Sequence, residues 1–387
     1  MKKWVKWAAI SSGALLALNV AGFFLVTPAW IDGRMNKVAV HEPYAISDAA
    51  AALHGSLRVA DLHSDLLITA RDPLKRYRRG HTDVPRLTEG GYRLQVFSAV
   101  TKTPNFVNYE RNKADSDALT ALFVAQRWPA RTWSSLAERA LYQAEKLERA
   151  ATQSGGRLAI VRTRSDLESA LAGQTLATIL ATEGAHPLEG DLANLDRLYA
   201  SGYRVLGLQH FFDNELGGSL HGMSRGGLTE FGRQAIGAAE AKGMIIDVAH
   251  SSEASVRDTL GVAQRPLIVS HTGLRGHCPG PRNIPDELMV AIAEKGGLIG
   301  VGFWDAAVCE TTPAAIAAAI AYAIGLVGVD HVALGSDFDG AVKTPFDASE
   351  IAALTEALMQ AGLEEEAIRK VMGENQIRFF LEHLPET

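Results

Sequence analysis

The chain has 387 residues, 47% of them apolar, which is enough for one large barrel or two ordinary domains with a sizeable core. A formal net charge of -6 without an extended basic block leaves no electrostatic footprint for a nucleic-acid partner. Two cysteines, Cys278 and Cys309, are too few for a disulfide scaffold or a structural zinc knuckle; they read as buried thiols, with a single disulfide as the alternative.

At the N-terminus, Lys2, Lys3 and Lys6 precede a nearly unbroken apolar run from Ala8 to Val26, interrupted mainly by Ser11, Ser12 and Asn19. Its length approaches the roughly 20 residues that span a bilayer, and the leading lysines favour a cytoplasmic N-terminus. Residues 1–31 are therefore expected to form an uncleaved signal anchor or a cleaved signal peptide, with a buried core helix as the third reading. The first makes the lipid bilayer a partner through the N-terminal helix. It places the remainder on the periplasmic, extracytoplasmic side of a bacterial cytoplasmic membrane, and the second releases it to the periplasm. No cysteine follows the run, which excludes a lipoprotein anchor. Residues 32–55 read as a linker and 56–387 as the folded domain.

From there, short apolar runs alternate with amphipathic helical stretches. Strands are predicted at Ser56–His63, Tyr92–Val100, Thr175–Gly184 and Tyr203–His210, then at Gly243–His250, Pro266–His271, Gly297–Trp304 and His331–Gly340. Helices are predicted near Asp115–Trp128, Ser135–Thr152, Leu228–Lys242, Pro285–Lys295 and Pro313–Ile324, with another in the C-terminal tail. Strands that are apolar throughout and alternate with helices belong to a parallel sheet covered on both faces. Eight of them predict an α/β fold of the (β/α)8 TIM-like barrel type behind an N-terminal hydrophobic helix; a doubly wound open sheet is the alternative. The barrel is favoured because His63, Glu183, His210, His250, His271 and Asp337 all fall at or just past the C-terminal end of a predicted strand, the rim from which such barrels draw their chemistry.

Side chains two apart in a strand point the same way, so His63 and Asp65 of "DLHSDLL" converge on one ion if the backbone stays extended. Imidazole nitrogen and carboxylate oxygen both suit zinc. Glu183 of "ATEGAHPLEG" follows a run too apolar to tolerate a bare carboxylate, and its two oxygens suit it to bridge two ions. His186, three residues on, is a candidate ligand or outer donor. His250 and His271 end consecutive strands. Together these residues supply three imidazoles and two carboxylates. A two-metal centre with ions about 3.5 to 4 Å apart can generate a hydroxide nucleophile near neutral pH, which makes hydrolysis the leading class of reaction.

In order, "DLHSDLL", "GHTDVPRLTEGGYRLQVFS", "EGAHPLEG", "LGLQH", "GLTEFG", "GMIIDVAHSS", "SHTG", "PRNIPDEL" and "GSDFDG" make the chain resemble the membrane dipeptidase family, peptidase family M19 of the metal-dependent hydrolases, over about Val59 to Phe380. The resemblance implies a (β/α) barrel with two Zn2+ per chain. In it, His63 and Asp65 bind one ion, His250 and His271 the other, and Glu183 bridges them. It further implies that His210 steadies the developing oxyanion, that Arg282 recognises the substrate carboxylate, and that Asp337 is the acid/base. Its members are often homodimers. Where the family usually carries asparagine or another small polar residue between the first histidine and aspartate, this chain has Ser64. The rim loop Phe211–Gly227 varies among members; Phe211, Phe212 and His221 are candidates to line the side-chain pocket, with packing of the barrel mouth as the alternative for Phe211 and Phe212.

The expected activity is zinc-dependent hydrolysis of dipeptides with a free C-terminal carboxylate. The alternatives are the same barrel acting on an N-acyl amino acid, a β-lactam, a lactone or a phosphoester, and a binding protein that retains the barrel without catalysis.

Overall fold

The apolar runs fold as eight parallel strands: β1 (Val59–Ser64), β2 (Tyr92–Val100), β3 (Leu176–Glu183), β4 (Tyr203–Gly207), β5 (Ile245–Asp247), β6 (Ile268–Thr272), β7 (Leu298–Val301) and β8 (Val332–Leu334). They are seen in a computed structural model that describes residues 2–386, with side chains in the first helix described at Trp7, Ser11, Ser12, Leu15 and from Leu18 onward. The strands lie side by side in chain order. Closure comes from a parallel bridge between Ser64 and Phe338 and from the Asp65 backbone N–H, which donates to the Phe338 carbonyl at 2.8 Å. The result is the near-closed TIM-like barrel that the sequence predicts. Among the described residues, three short strands were not anticipated: Leu158–Ile160 pairs with the first residues of β3, below the point where β4 joins, and Lys37–Val38 pairs with Lys343–Thr344 outside the barrel.

Alternate positions along the strands explain the two layers of core. Ala60, Leu62, Leu94, Val96, Ala177, Ile179, Ala181, Val205, Ile245, Ile268, Leu298 and Ala333 form one apolar cluster with Ile377, Phe379 and Phe380 of the C-terminal helix. The intervening positions, such as Val59, Phe97, Leu180, Leu206, Ile246, Val269 and Ile299, pack with the surrounding helices. The C-terminal helix (Asn375–His383) seats against the strand beginnings, where the Asn375 side chain donates to the Val332 carbonyl and that of Gln376 to the Ala60 carbonyl. Several of the helices start on hydroxyl caps: Thr163, Thr229, Ser252 and Thr312 accept from the backbone N–H groups of Asp166, Gly232, Ser255 and Ala315. Cys278 and Cys309 form a disulfide, the second of the two readings. It ties the loop after β6 to the segment after β7.

The N-terminal helix α1 (Lys2–Leu25) is hydrophobic, as expected. The predicted anchor falls partly on side chains outside the described residues. Among the described residues, no helix is long and apolar enough to cross a membrane. This corrects the expected signal anchor and transmembrane helix, the bilayer as a partner, and the cytoplasmic-membrane and periplasmic placement drawn from them. The end of α1 is committed to the protein. Phe23 and Phe24 are partly covered, the Arg127 guanidinium lies 5.7 Å from the Phe24 ring centroid, and the chain continues at once into α2 (Thr27–Met35), which packs on the barrel mouth.

Because Phe380 is fully buried in the plug beneath the barrel, Phe380→Ala is expected to lower stability by about 3–5 kcal/mol, measured by urea unfolding followed through tryptophan fluorescence.

Candidate active site

Along the inner face of the barrel, apolar residues give way to polar ones one layer below the C-terminal rim. Period-two alternation continues Ala177, Ile179 and Ala181 to Glu183, Leu94 and Val96 to Ser98, Ile245 to Asp247, and Ile268 to Ser270. Each of these polar side chains is buried, so each requires a partner. The Ser98 and Ser270 hydroxyls lie 3.2 and 3.3 Å from His63 Nδ1, and Ser270 Oγ lies 3.0 Å from His271 Nδ1. Both imidazoles thereby turn Nε2 towards the cavity. Asp247 accepts from the backbone N–H groups of Ala249 and Ser270, both at 2.9 Å, and so pins the exits of β5 and β6 together. Asp61 does the same for β1 and β8: its carboxylate accepts from Ser336 N and Ser336 Oγ, both at 2.7 Å, and from Gln95 Nε2 at 2.8 Å.

Past the strand ends the backbone is bent to aim side chains inward. His250 and Asp337 sit at φ 61° and 59°, a left-handed conformation that non-glycine residues adopt only when their surroundings impose it. This is why β5 ends at Asp247 and β8 at Leu334, several residues before the functional side chains that the predicted strands included.

The predicted residues converge on Glu183. Its Oε2 lies 3.6 Å from His63 Nε2, and its Oε1 lies 3.2, 3.6 and 3.3 Å from Nε2 of His250, His271 and His210. His63 Nε2 is also 3.5 Å from Asp65 Oδ1 and 3.8 Å from Asp337 Oδ1. Ligand atoms of His63, Asp65 and Glu183 all lie within 4.8 Å of one another, as do those of Glu183, His250 and His271, and those of His63, His271 and Asp337. The donor set passes a physical test for cations. His63 Nε2, Asp65 Oδ1 and Glu183 Oε2 are buried without a hydrogen-bond partner, a costly state for three polar atoms pointing at one place unless an ion lies between them.

The charges agree. Burial, then the Glu183 carboxylate, pushes Asp65 up to about 8. Burial raises Asp337 well above the usual carboxylate range, and Glu183 and Asp65 add to the rise. Although burial works against it, His210 and His63 hold Glu183 well below its usual value. Burial first, then Arg282 for His250 and His63 for His271, lowers both imidazoles far below the ordinary histidine value. They are neutral, the form in which histidine binds metal. Three carboxylates crowd this site, and divalent cations relieve that excess of negative charge.

Asp65, Glu183, His210, His250, Arg282 and Asp337 line a cavity of about 400 Å³. Arg282 is fully buried: its Nη2 donates to the His271 carbonyl at 3.2 Å, and its guanidinium lies 5.2 Å from the Trp304 ring. The Cys278–Cys309 disulfide holds the loop four residues before it. Of the three rim candidates, Phe211 lines the cavity. Phe212 is buried against His186, with ring centroids 4.4 Å apart, and His221 is buried behind Tyr109, its Nδ1 2.7 Å from the Tyr109 carbonyl oxygen. His186 joins none of the ligand groups among the described residues. Residues missed from sequence also line the cavity: Ile31 and Met35 of α2, Ile68, Tyr109, Leu119 and Leu122. No local motif marks them, since they share only apolar character and a place in the fold.

Comparison with known proteins bears on the same residues. The family model described as membrane dipeptidase (peptidase family M19) matches residues 47–383. Dipeptidase ataJ of Aspergillus terreus is 27% identical over 328 residues, 77% of this chain and 76% of that protein. The crystal structure of dipeptidase AC, a metallopeptidase of family M19, superposes with a TM-score of 0.69 at 26% identity, covering 86% of this chain and 100% of that one. A metallopeptidase from Rhodobacter sphaeroides, solved with a phosphinate mimic of the dipeptide L-Ala-D-Ala, gives 0.67 at 25% identity, with coverage of 85% and 99%.

Adding Zn2+ to chelator-treated protein at 100 times its dissociation constant is expected to stabilise it by about 2.7 kcal/mol. Glu183→Gln should lose most of that gain, as read from denaturant midpoints with and without the ion.

Proposed function

The chain belongs to the membrane dipeptidase family, peptidase family M19, and from that premise we propose that this metal-dependent, dipeptidase-like hydrolase uses two Zn2+ to cleave dipeptides that carry a free C-terminal carboxylate. The observation that carries the reading is the position of Glu183, buried on the cavity wall with its two oxygens facing different histidines. His63 and Asp65 would hold one ion and His250 and His271 the other, with one Glu183 oxygen given to each. When bound, the pair supplies an acidified water as nucleophile and polarises the scissile carbonyl.

The protein's own groups do the rest. Arg282 faces the cavity with its charge buried, hydrogen-bonded to the neutral His271 carbonyl, which suits it to grip a substrate carboxylate. His210, which lines the cavity beside Glu183, donates to the carbonyl oxygen as negative charge develops there. Asp337 takes the proton released by the attacking water and returns it to the departing amine. Its position beside His63, on the cavity wall, supports that assignment. The relative solved with a dipeptide mimic supports the substrate class.

The deciding experiment is a panel of L,L and L,D dipeptides, their C-terminal amides, N-acyl amino acids and a lactone, with metal content determined on the same preparation. About two zinc ions per chain and cleavage that requires the free carboxylate are expected; preferred cleavage of amides or lactones would reassign the bond. Arg282→Ala should raise KM for dipeptides by roughly 10²-fold, in line with losing a charge-assisted contact of about 2–3 kcal/mol, and leave the amides unaffected. Asp337→Asn should lower kcat by about 10²–10⁴-fold with zinc content unchanged.

A further inference from the structure

The family-matched region begins at residue 47, so α2 lies outside it. Yet Pro28, Ile31 and Met35 of α2 line the same cavity as Asp65, Glu183 and Arg282. A helix that merely connected two segments would need no buried charge. This one buries Asp32, which is costly unless paired.

The pairing is complete. Asp32 Oδ2 lies 2.7 Å from Arg79 Nε and 3.1 Å from Arg71 Nε, and Asn36 Nδ2 donates to Asp32 Oδ1 at 3.0 Å. The other end of Arg71 reaches Asp339 Oδ1 at 2.5 Å, two residues from Asp337. Asn36 Oδ1 accepts from Ala341 N at 2.9 Å, and Lys37–Val38 pairs in parallel with Lys343–Thr344. By ion pairs, a side-chain bond and a short sheet, α2 is fastened to the segment that carries Asp337. The same cavity is also lined by the apolar side chains of Ile68, Leu119 and Leu122.

We propose that α2 is a specificity-determining wall of the active site: Ile31 and Met35 contact an apolar side chain of the substrate, and Asp32 is the positioning residue that holds them there. For the bond cleaved, the proposal rests on the dipeptidase reading. The wall itself does not depend on it.

The test uses the full chain with Xaa-Ala, Ala-Xaa and N-acetyl-Xaa series in which Xaa is Ala, Leu, Phe or Asp. The readout is kcat/KM where a compound is cleaved and Kd by calorimetry where it is not. The native protein should favour Leu or Phe over Asp in at least one series. Ile31→Ala combined with Met35→Ala should change the Phe-to-Ala ratio by roughly tenfold, the scale of one or two methylenes in an apolar pocket, mainly through KM. Asp32→Asn should move the ratio in the same direction and speed amide hydrogen exchange across residues 27–36. A structural defect alone would lower kcat for every substrate and leave the ratio fixed. Failure to cleave any dipeptide would sink the dipeptidase reading alone; a ratio unmoved in both variants, or a native preference for Asp, would overturn the wall.

Discussion

A carboxylate closed inside a barrel, with imidazoles against both of its oxygens, is the constraint that organises this molecule. Glu183 cannot carry its charge in that position without cationic or hydrogen-bonding company, and His63, His210, His250 and His271 supply only part of it. Those partners come from β1 and from the ends of β4, β5 and β6. Only a closed parallel sheet brings so many strand ends to one point. The apolar lower layer, sealed by Phe379 and Phe380, keeps water from reaching the site from below, which strengthens every electrostatic interaction above it.

The layer between core and cavity converts strand geometry into ligand geometry. Asp61 and Asp247 are buried carboxylates that contact no predicted ligand side chain, but each ties the exits of two barrel strands by accepting backbone N–H groups. Burial raises both above the usual carboxylate range, and the hydrogen bonds they accept act in the opposite direction. The positive φ of His250 and Asp337 is strain of the kind that collects where side-chain aim matters more than backbone comfort. The Arg282 loop is restrained differently, by the disulfide at Cys278 and by the Trp304 ring.

Much of this was legible in the sequence because burial on both faces writes itself as continuous apolar runs. β2 has its predicted bounds, β1 and β6 start later and run one residue further than predicted, and the other five strands lie where expected with shorter ends. The ends were overread because His250 and Asp337 follow apolar runs yet leave the extended conformation, and hydrophobicity does not record φ. The helices Arg164–Ala172 and Glu253–Val262 were missed although Thr163 with Asp166, and Ser252 with Glu253, carry helix-start chemistry. The N-terminal run misled for a physical reason: a helix that packs its last turns on protein and one that packs them on lipid have similar composition. The role of α2 was hidden because the charged partners of Asp32, Arg71 and Arg79, and the link from Arg71 on to Asp339, are specified by the fold and by nothing nearby in the chain.

The bonds from Ser336 to Asp61 span 275 residues, and they govern the order in which the molecule can be built. A chain leaving the ribosome presents β1, with His63 and Asp65, long before β8 exists to close against it. Until then Asp61 must stay hydrated, and the first strand is an open edge available to any other extended segment. Joining ends so distant adds only modest loop-closure entropy, since that cost grows with the logarithm of length. It nevertheless makes the contact map strongly non-local, which slows folding. The metal-binding pocket is thus the last part of the nascent protein to mature, and a truncated chain that lacks β8 would carry nearly every ligand without the means to assemble them.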